Sequence, residues 1–134
     1  MNAECKMQNA ECRMRISMNE NVAVEKSLDF AVRIVNLRNY LVGEHAEYVM
    51  SKQLLRCGTS IGANIAEAQR GQSKADFAAK MNIALKEANE TEYWLKLLYR
   101  TQYLSEEQYE SINSDVQELL GILVAICRTS NARK

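Results

Sequence analysis

The chain has 134 residues, seventeen basic and seventeen acidic, for a formal net charge of zero. That length makes one domain, large enough to bury a core without disulfides or metal. The balanced charge, with no block of one sign, excludes the electrostatic signature of a free-standing nucleic-acid binder. Proline is absent, so no helix need be broken, and 47% hydrophobic residues at helical spacing indicate an all-α bundle.

Residues 1–20 stand apart from the rest. NAECKMQ at Asn2 is followed by NAECRMR at Asn9, a short repeat that buries nothing by itself. We expect a disordered leader, or a start codon assigned too early with Met18 as the working start. The folded unit is expected over 21–128, with a frayed tail at 129–134.

The first helix is predicted over 23–41, stopped by Gly43. It carries two apolar stripes, Leu28, Ala31 and Val35 on one side and Phe30, Ile34, Leu37 and Leu41 on the other. A helix apolar on two faces is buried on two faces. The second helix is predicted over 46–70, with Gly71 as its C-terminal cap. Its seam is Met50, Leu54, Cys57, Ile61, Asn64 and Ala68. Gly58, Gly62 and Ala66 form a column of small residues beside it. Each helical glycine costs about 1 kcal/mol relative to alanine, which close approach of another helix would offset. Next to that column runs a polar stripe. We single out Arg56, Ser60, Asn64 and Glu67, with Glu90 from the following helix, as an ordered helix–helix motif within the bundle or between subunits.

The third helix is predicted over 73–101, opening at Ser73 with Asp76 three residues on. Its seam is Phe77, Met81, Ala84, Ala88, Thr91, Leu95 and Leu98. Only Gly71-Gln72-Ser73 separates the second and third helices, so they must lie antiparallel. The fourth is predicted over 105–128, opening on a Ser105-x-x-Gln108 capping box. Ile112, Val116, Leu119, Leu123 and Ile126 form its seam, with Leu120 and Val124 left over. The architecture expected is an antiparallel up-down four-helix bundle. The surplus stripes point to a homo-oligomer with Phe30, Ile34, Leu37, Leu120 and Val124 at its interface.

Chemistry-bearing patterns are weak. Gly58-Thr59-Ser60-Ile61-Gly62 matches a nucleophile elbow, but that motif needs a strand before the serine and this one lies inside a helix. No catalytic residue is assigned. Bundle metal sites use paired Glu-x-x-His motifs, and there are none. Cys5, Cys12, Cys57 and Cys127 form no Cys-x-x-Cys pair, so no metal or cofactor is expected. Tyr93, Trp94, Tyr99, Tyr103 and Tyr109 could stack bases, but such residues more often cover bundle ends and interfaces. Lys52, Arg56, Arg70, Lys74 and Lys80 are the candidate nucleic-acid contacts, set against ordinary pairing with neighbouring acids. The longest apolar run, Leu119 to Cys127, is too short to span a membrane, and no signal peptide is evident. A cytoplasmic location follows.

QLLRCGTSIGANIAEAQRGQSKADFAAKMNIALKEANETEYWLKLL, preceded by NVAVEKSLDFAVRIVNLRNYL, resembles the four-helix-bundle proteins encoded in intervening sequences of bacterial 23S rRNA genes. The likeness runs from Asn21 to Cys127, and T-S-I-G-A-N-I-A-E carries it most specifically. That family is related to the accessory variability proteins of diversity-generating retroelements. The resemblance implies a bundle assembling as a ring, typically a pentamer, associated with RNA or a nucleic-acid enzyme. Two departures stand out: Ala68 replaces a glycine common in the family, and the chain is neutral where the retroelement relatives are basic. The function expected is a non-catalytic, ring-forming scaffold for rRNA or an RNA-handling partner. The alternative is an oligomeric protein-interaction module with no nucleic-acid role.

Overall fold

A computed structural model describes residues 3–132, with side chains from 20 to 131. It contains α1 (Ala3–His45), α2 (Met50–Ala68), α3 (Lys74–Arg100) and α4 (Glu106–Ala132). Each helix packs on its neighbours in the chain, and α1 closes on α4. The diagonal pairs, α1 with α3 and α2 with α4, do not approach. The result is the expected antiparallel up-down bundle, square in section. Among the described residues there is no strand.

The predicted seams of α2, α3 and α4 face the core. Leu54, Cys57, Ile61, Met81, Ala88, Thr91, Leu95, Leu98, Val116 and Leu123 are fully buried. Met50 and Phe77 at the seam ends are half-buried, and so is Asn64, where neighbouring Ile65 is the residue sealed in the core. In α1 the larger stripe is the core stripe. Phe30 is 2% exposed, and Ile34 and Leu41 are sealed from solvent. This corrects the assignment of Phe30 and Ile34 to an oligomer interface. Burying a side chain of that size contributes about 1.5–3 kcal/mol, and the protomer's own core supplies that burial. Leu37 is half-buried against the same core. The smaller stripe faces water instead, with Leu28 65% and Val35 41% exposed.

The small-residue column on α2 explains how α1 packs so closely. A Cβ at Gly58 would lie 2.9 Å from both Cγ atoms of Ile34. At Gly62 it would lie 3.3 Å from the Ser27 hydroxyl oxygen. The helix that needs these glycines is α1 of the same protomer, and Ala66 at the end of the column is exposed. Their combined cost in helix propensity, about 2 kcal/mol, is offset by the α1–α2 packing they permit.

Several helix ends differ from expectation. α1 runs past Gly43 to His45 and stops where Ala46 takes a left-handed conformation, φ 49°. After that kink the buried Glu47 caps α2. Its carboxylate accepts backbone N–H bonds from Val49 (3.0 Å), Met50 (2.9 Å) and Ser51 (2.7 Å). At the other end α2 stops at Ala68, short of the predicted 70, with Gln69 as its cap. Gly71 is therefore not a left-handed cap. It makes the turn sterically, since a Cβ there would sit 3.2 Å from the Ala68 carbonyl oxygen. Both remaining helix starts follow the sequence. Ser73 Oγ accepts from Asp76 N at 3.1 Å. Ser105 and Gln108 form the full reciprocal box at 2.9 and 3.1 Å.

The backbone of α1 begins at Ala3, well before the predicted 23, and α4 continues to Ala132, past the predicted 128. The side chains of residues 1–19 lie outside the described residues, and with them the repeat, Cys5 and Cys12 and the expectation of a leader apart from the fold.

Candidate functional site

The polar stripe of α2 divides into two kinds of contact. Ser60 donates its hydroxyl to the Arg56 carbonyl (2.7 Å), and Asn64 donates its amide to the Ser60 carbonyl (2.8 Å). Both bonds fold back on α2 itself. Arg56 and Glu67 are the members that cross to α3, where Glu90 receives Arg56. The Arg56 guanidinium meets Glu90 and, at 3.5 Å, Glu87, and it is steadied by Gln53 Oε1 at 3.1 Å. Glu90 also accepts the Trp94 indole N–H at 3.2 Å. Lower on the same flank, Lys80 pairs with Glu67 at 2.7 Å. The Arg56 side chain is half-exposed, so each pair contributes roughly 0–1 kcal/mol. The motif clamps α2 to α3 and fixes their register.

That clamp takes two of the five candidate nucleic-acid contacts, Arg56 and Lys80. The other three, Lys52, Arg70 and Lys74, are exposed and in no ion pair among the described residues. Lys52 lies in the first turn of α2, far from the other two. Arg70 and Lys74 flank the α2–α3 turn, where an open cleft of about 490 Å³ is lined by the acidic Glu20 together with Gln72, Ser73, Lys74, Phe77 and Thr129. So the basic set does not gather into one patch, but a two-cation polar corner remains.

The aromatic residues mostly satisfy one another. Tyr99 and Tyr109 stack in parallel with centroids 4.6 Å apart, each covering a face of the other. His45 hydrogen-bonds the Tyr40 hydroxyl at 3.2 Å and meets Tyr103 edge-on. Tyr93, edge-on to Trp94, is 59% exposed. Burial pushes the Cys57 thiol up to about 11, and it raises that of Cys127 as well. Both are free, buried thiols, neutral at pH 7. Among the described residues no group of three or more His, Cys, Asp and Glu gathers to hold a metal ion. No described helix is long and apolar enough to cross a membrane.

The remaining conspicuous surface is apolar. On α1, Leu28, Val32 and Val35 are 65%, 55% and 41% exposed. Val32 belongs to neither stripe picked out in the sequence. On α4, Val124 is 41% exposed beside half-buried Leu120. The α1–α4 flank is held differently, by Lys26–Glu118 and Arg33–Asp115 pairs at 2.5 Å above shallow clefts.

The family model described as 23S rRNA-intervening sequence protein matches residues 19–125. A crystal structure of a protein of unknown function from the S23 ribosomal protein family of Bacteroides thetaiotaomicron is 64% identical. The match covers 82% of this chain and 98% of that one, with a TM-score of 0.81. No curated protein matches the chain.

Proposed function

The chain belongs to the 23S rRNA-intervening sequence protein family, and from that premise and its exposed apolar faces we propose a non-catalytic, self-assembling scaffold. The assembly is a closed ring, with five copies favoured, that holds an RNA or an RNA-handling partner in the cytoplasm. The proposal includes kinship with the accessory variability proteins of diversity-generating retroelements. The observation that carries it is the exposure of Leu28, Val32, Val35 and Val124 on a neutral bundle whose core is already complete. Contiguous apolar patches are rare on soluble monomers. The absence of a catalytic role is supported by Ser60, whose hydroxyl is spent on its own helix, and by His45, which stands with Tyr40 and Tyr103 instead.

RNA contact in this reading falls to the Arg70–Lys74 corner, repeated around the assembly. Few phosphates are neutralised per copy, so binding is weak and steeply salt-dependent. Arg70→Glu with Lys74→Glu should abolish RNA retention at low salt while leaving assembly intact. Unchanged retention would favour the second reading, a protein-interaction module without nucleic acid. That reading draws on the pairing of Arg56 with Glu90 and of Lys80 with Glu67.

A further inference from the structure

We infer that the cleft at the α2–α3 end of the bundle takes an unpaired guanine nucleotide, with its phosphate toward Lys74 and its base toward Glu20. This deepens the RNA reading of the Arg70–Lys74 corner by naming the unit of RNA that the corner receives.

The two ends of the bundle are finished differently. At one end the α1–α2 and α3–α4 connections fold in. Leu104 is buried, Tyr99 stacks on Tyr109, and His45 meets the rings of Tyr40 and Tyr103. At the other end the helices leave space between them. The cleft of about 490 Å³ there is lined from α1 by Glu20, from α2 by Ala68, from α3 by Lys74 and Phe77, and from α4 by Thr129 and Ser130. That volume is on the scale of small-molecule sites, ~300–1,000 Å³.

Its walls carry opposite charge. α1 and α3 are diagonal, so Glu20 and Lys74 stand on opposite sides of the opening. Neighbouring helices pack about 8–10 Å apart, which puts diagonal axes about 11–14 Å apart. A ligand reaching both walls must hold an anionic group and a set of donors several ångströms from each other. A free α-amino acid is too short, since its two charges flank one carbon. A nucleotide has the reach, with its phosphate at one end of the sugar and its base edge beyond the other. Lys74 and neighbouring Arg70 are exposed and in no ion pair among the described residues, so both can meet the phosphate.

The cleft also suits a base. Phe77 is half-buried, so part of its ring lines the cleft, and Ala68 adds a short apolar side chain. Stacking on an aromatic ring tolerates any base, so identity must be read at the edge. An ionised carboxylate only accepts hydrogen bonds. On its Watson–Crick edge guanine presents two adjacent donors, N1–H and the N2 amine, which match the two carboxylate oxygens. The other bases place an acceptor beside their donor and would set it against the carboxylate. A carboxylate has about four acceptor positions, so Glu20 can take both donors alongside its contact within the chain. That edge is occupied in a duplex, so the RNA read here is single-stranded.

The test is equilibrium dialysis of the full-length protein at low salt against 5′-GMP, 5′-AMP, 5′-CMP and 5′-UMP. 5′-GMP should bind at least about fivefold more tightly than the others, the low end of what a bidentate base contact discriminates. Glu20→Gln should remove that preference, because its amide nitrogen donates where guanine also donates. Lys74→Gln should weaken all four alike. Circular dichroism should show both variants folded. Absence of saturable 5′-GMP binding, or a guanine preference that survives Glu20→Gln, would overturn the inference. The RNA reading would then stand if Arg70→Glu with Lys74→Glu still loses RNA. Guanine-selective binding with RNA retention unchanged in that double variant would instead defeat the RNA reading and leave the cleft a site for the free nucleotide.

Discussion

Ile34→Glu should unfold the protein rather than merely dissociate it. Ile34 is sealed from solvent, and both its Cγ atoms lie against Gly58, where no other residue would fit. A carboxylate there has no cation to pair with and no room to reach water. Burying an unpaired charge costs many kcal/mol or forces protonation at a similar penalty. The whole stability of a domain this size is about 5–15 kcal/mol. The variant should lose its cooperative thermal transition and most of its helical signal at neutral pH. Leu28→Glu, nearly two helical turns away on the exposed face, should change helicity by almost nothing. Native-like helicity in Ile34→Glu would show that α1 presents the other stripe to the core.

Glu47→Ala should destabilise the bundle by about 1–3 kcal/mol, the scale for losing a helix cap and stranding buried donors. Burial works to raise the Glu47 carboxyl, but the N–H groups of Met50, Ser51 and Val49 outweigh it and hold the group below its usual value. A carboxyl depressed in the folded state contributes stability that is fully present above its unfolded pKa, near 4.5. The contribution is lost as pH falls through the folded value. Denaturant titrations at neutral pH should therefore separate wild type from Glu47→Ala, and the gap should close in acid. A gap that persists unchanged down to about pH 2, below both ionisations, would mean the loss is one of packing, not of the ionised cap.

Much of this was legible in the sequence. The heptad seams of α2, α3 and α4 have one strong apolar stripe each, and those stripes became the core. The Ser73 and Ser105 caps formed because hydroxyl and glutamine caps act within one turn. Arg56 and Glu90 did come together, while Glu67 pairs separately with Lys80. The failures share a cause, which is that spacing along one helix says nothing of what lies opposite. On α1 two stripes competed, and the choice was settled by Gly58 and Gly62, which admit the bulk of Ile34 on one side only. Val32 was missed because it sits off both stripes. The Glu47 cap was missed because a glutamate reaches the N–H groups only after Ala46 turns left-handed, which its residue type does not signal. Arg56 and Lys80 were candidate phosphate contacts set against pairing with neighbouring acids, and each is paired, with its acid on the facing helix and not along its own.

Self-assembly is the claim on which the scaffold function rests, and native mass spectrometry of the gently purified full-length protein tests it most directly. The protomer mass is 15.3 kDa. The account predicts a single closed species at a small whole multiple of that mass, five favoured, persisting at micromolar concentration. A sole peak at 15.3 kDa under those conditions would contradict it.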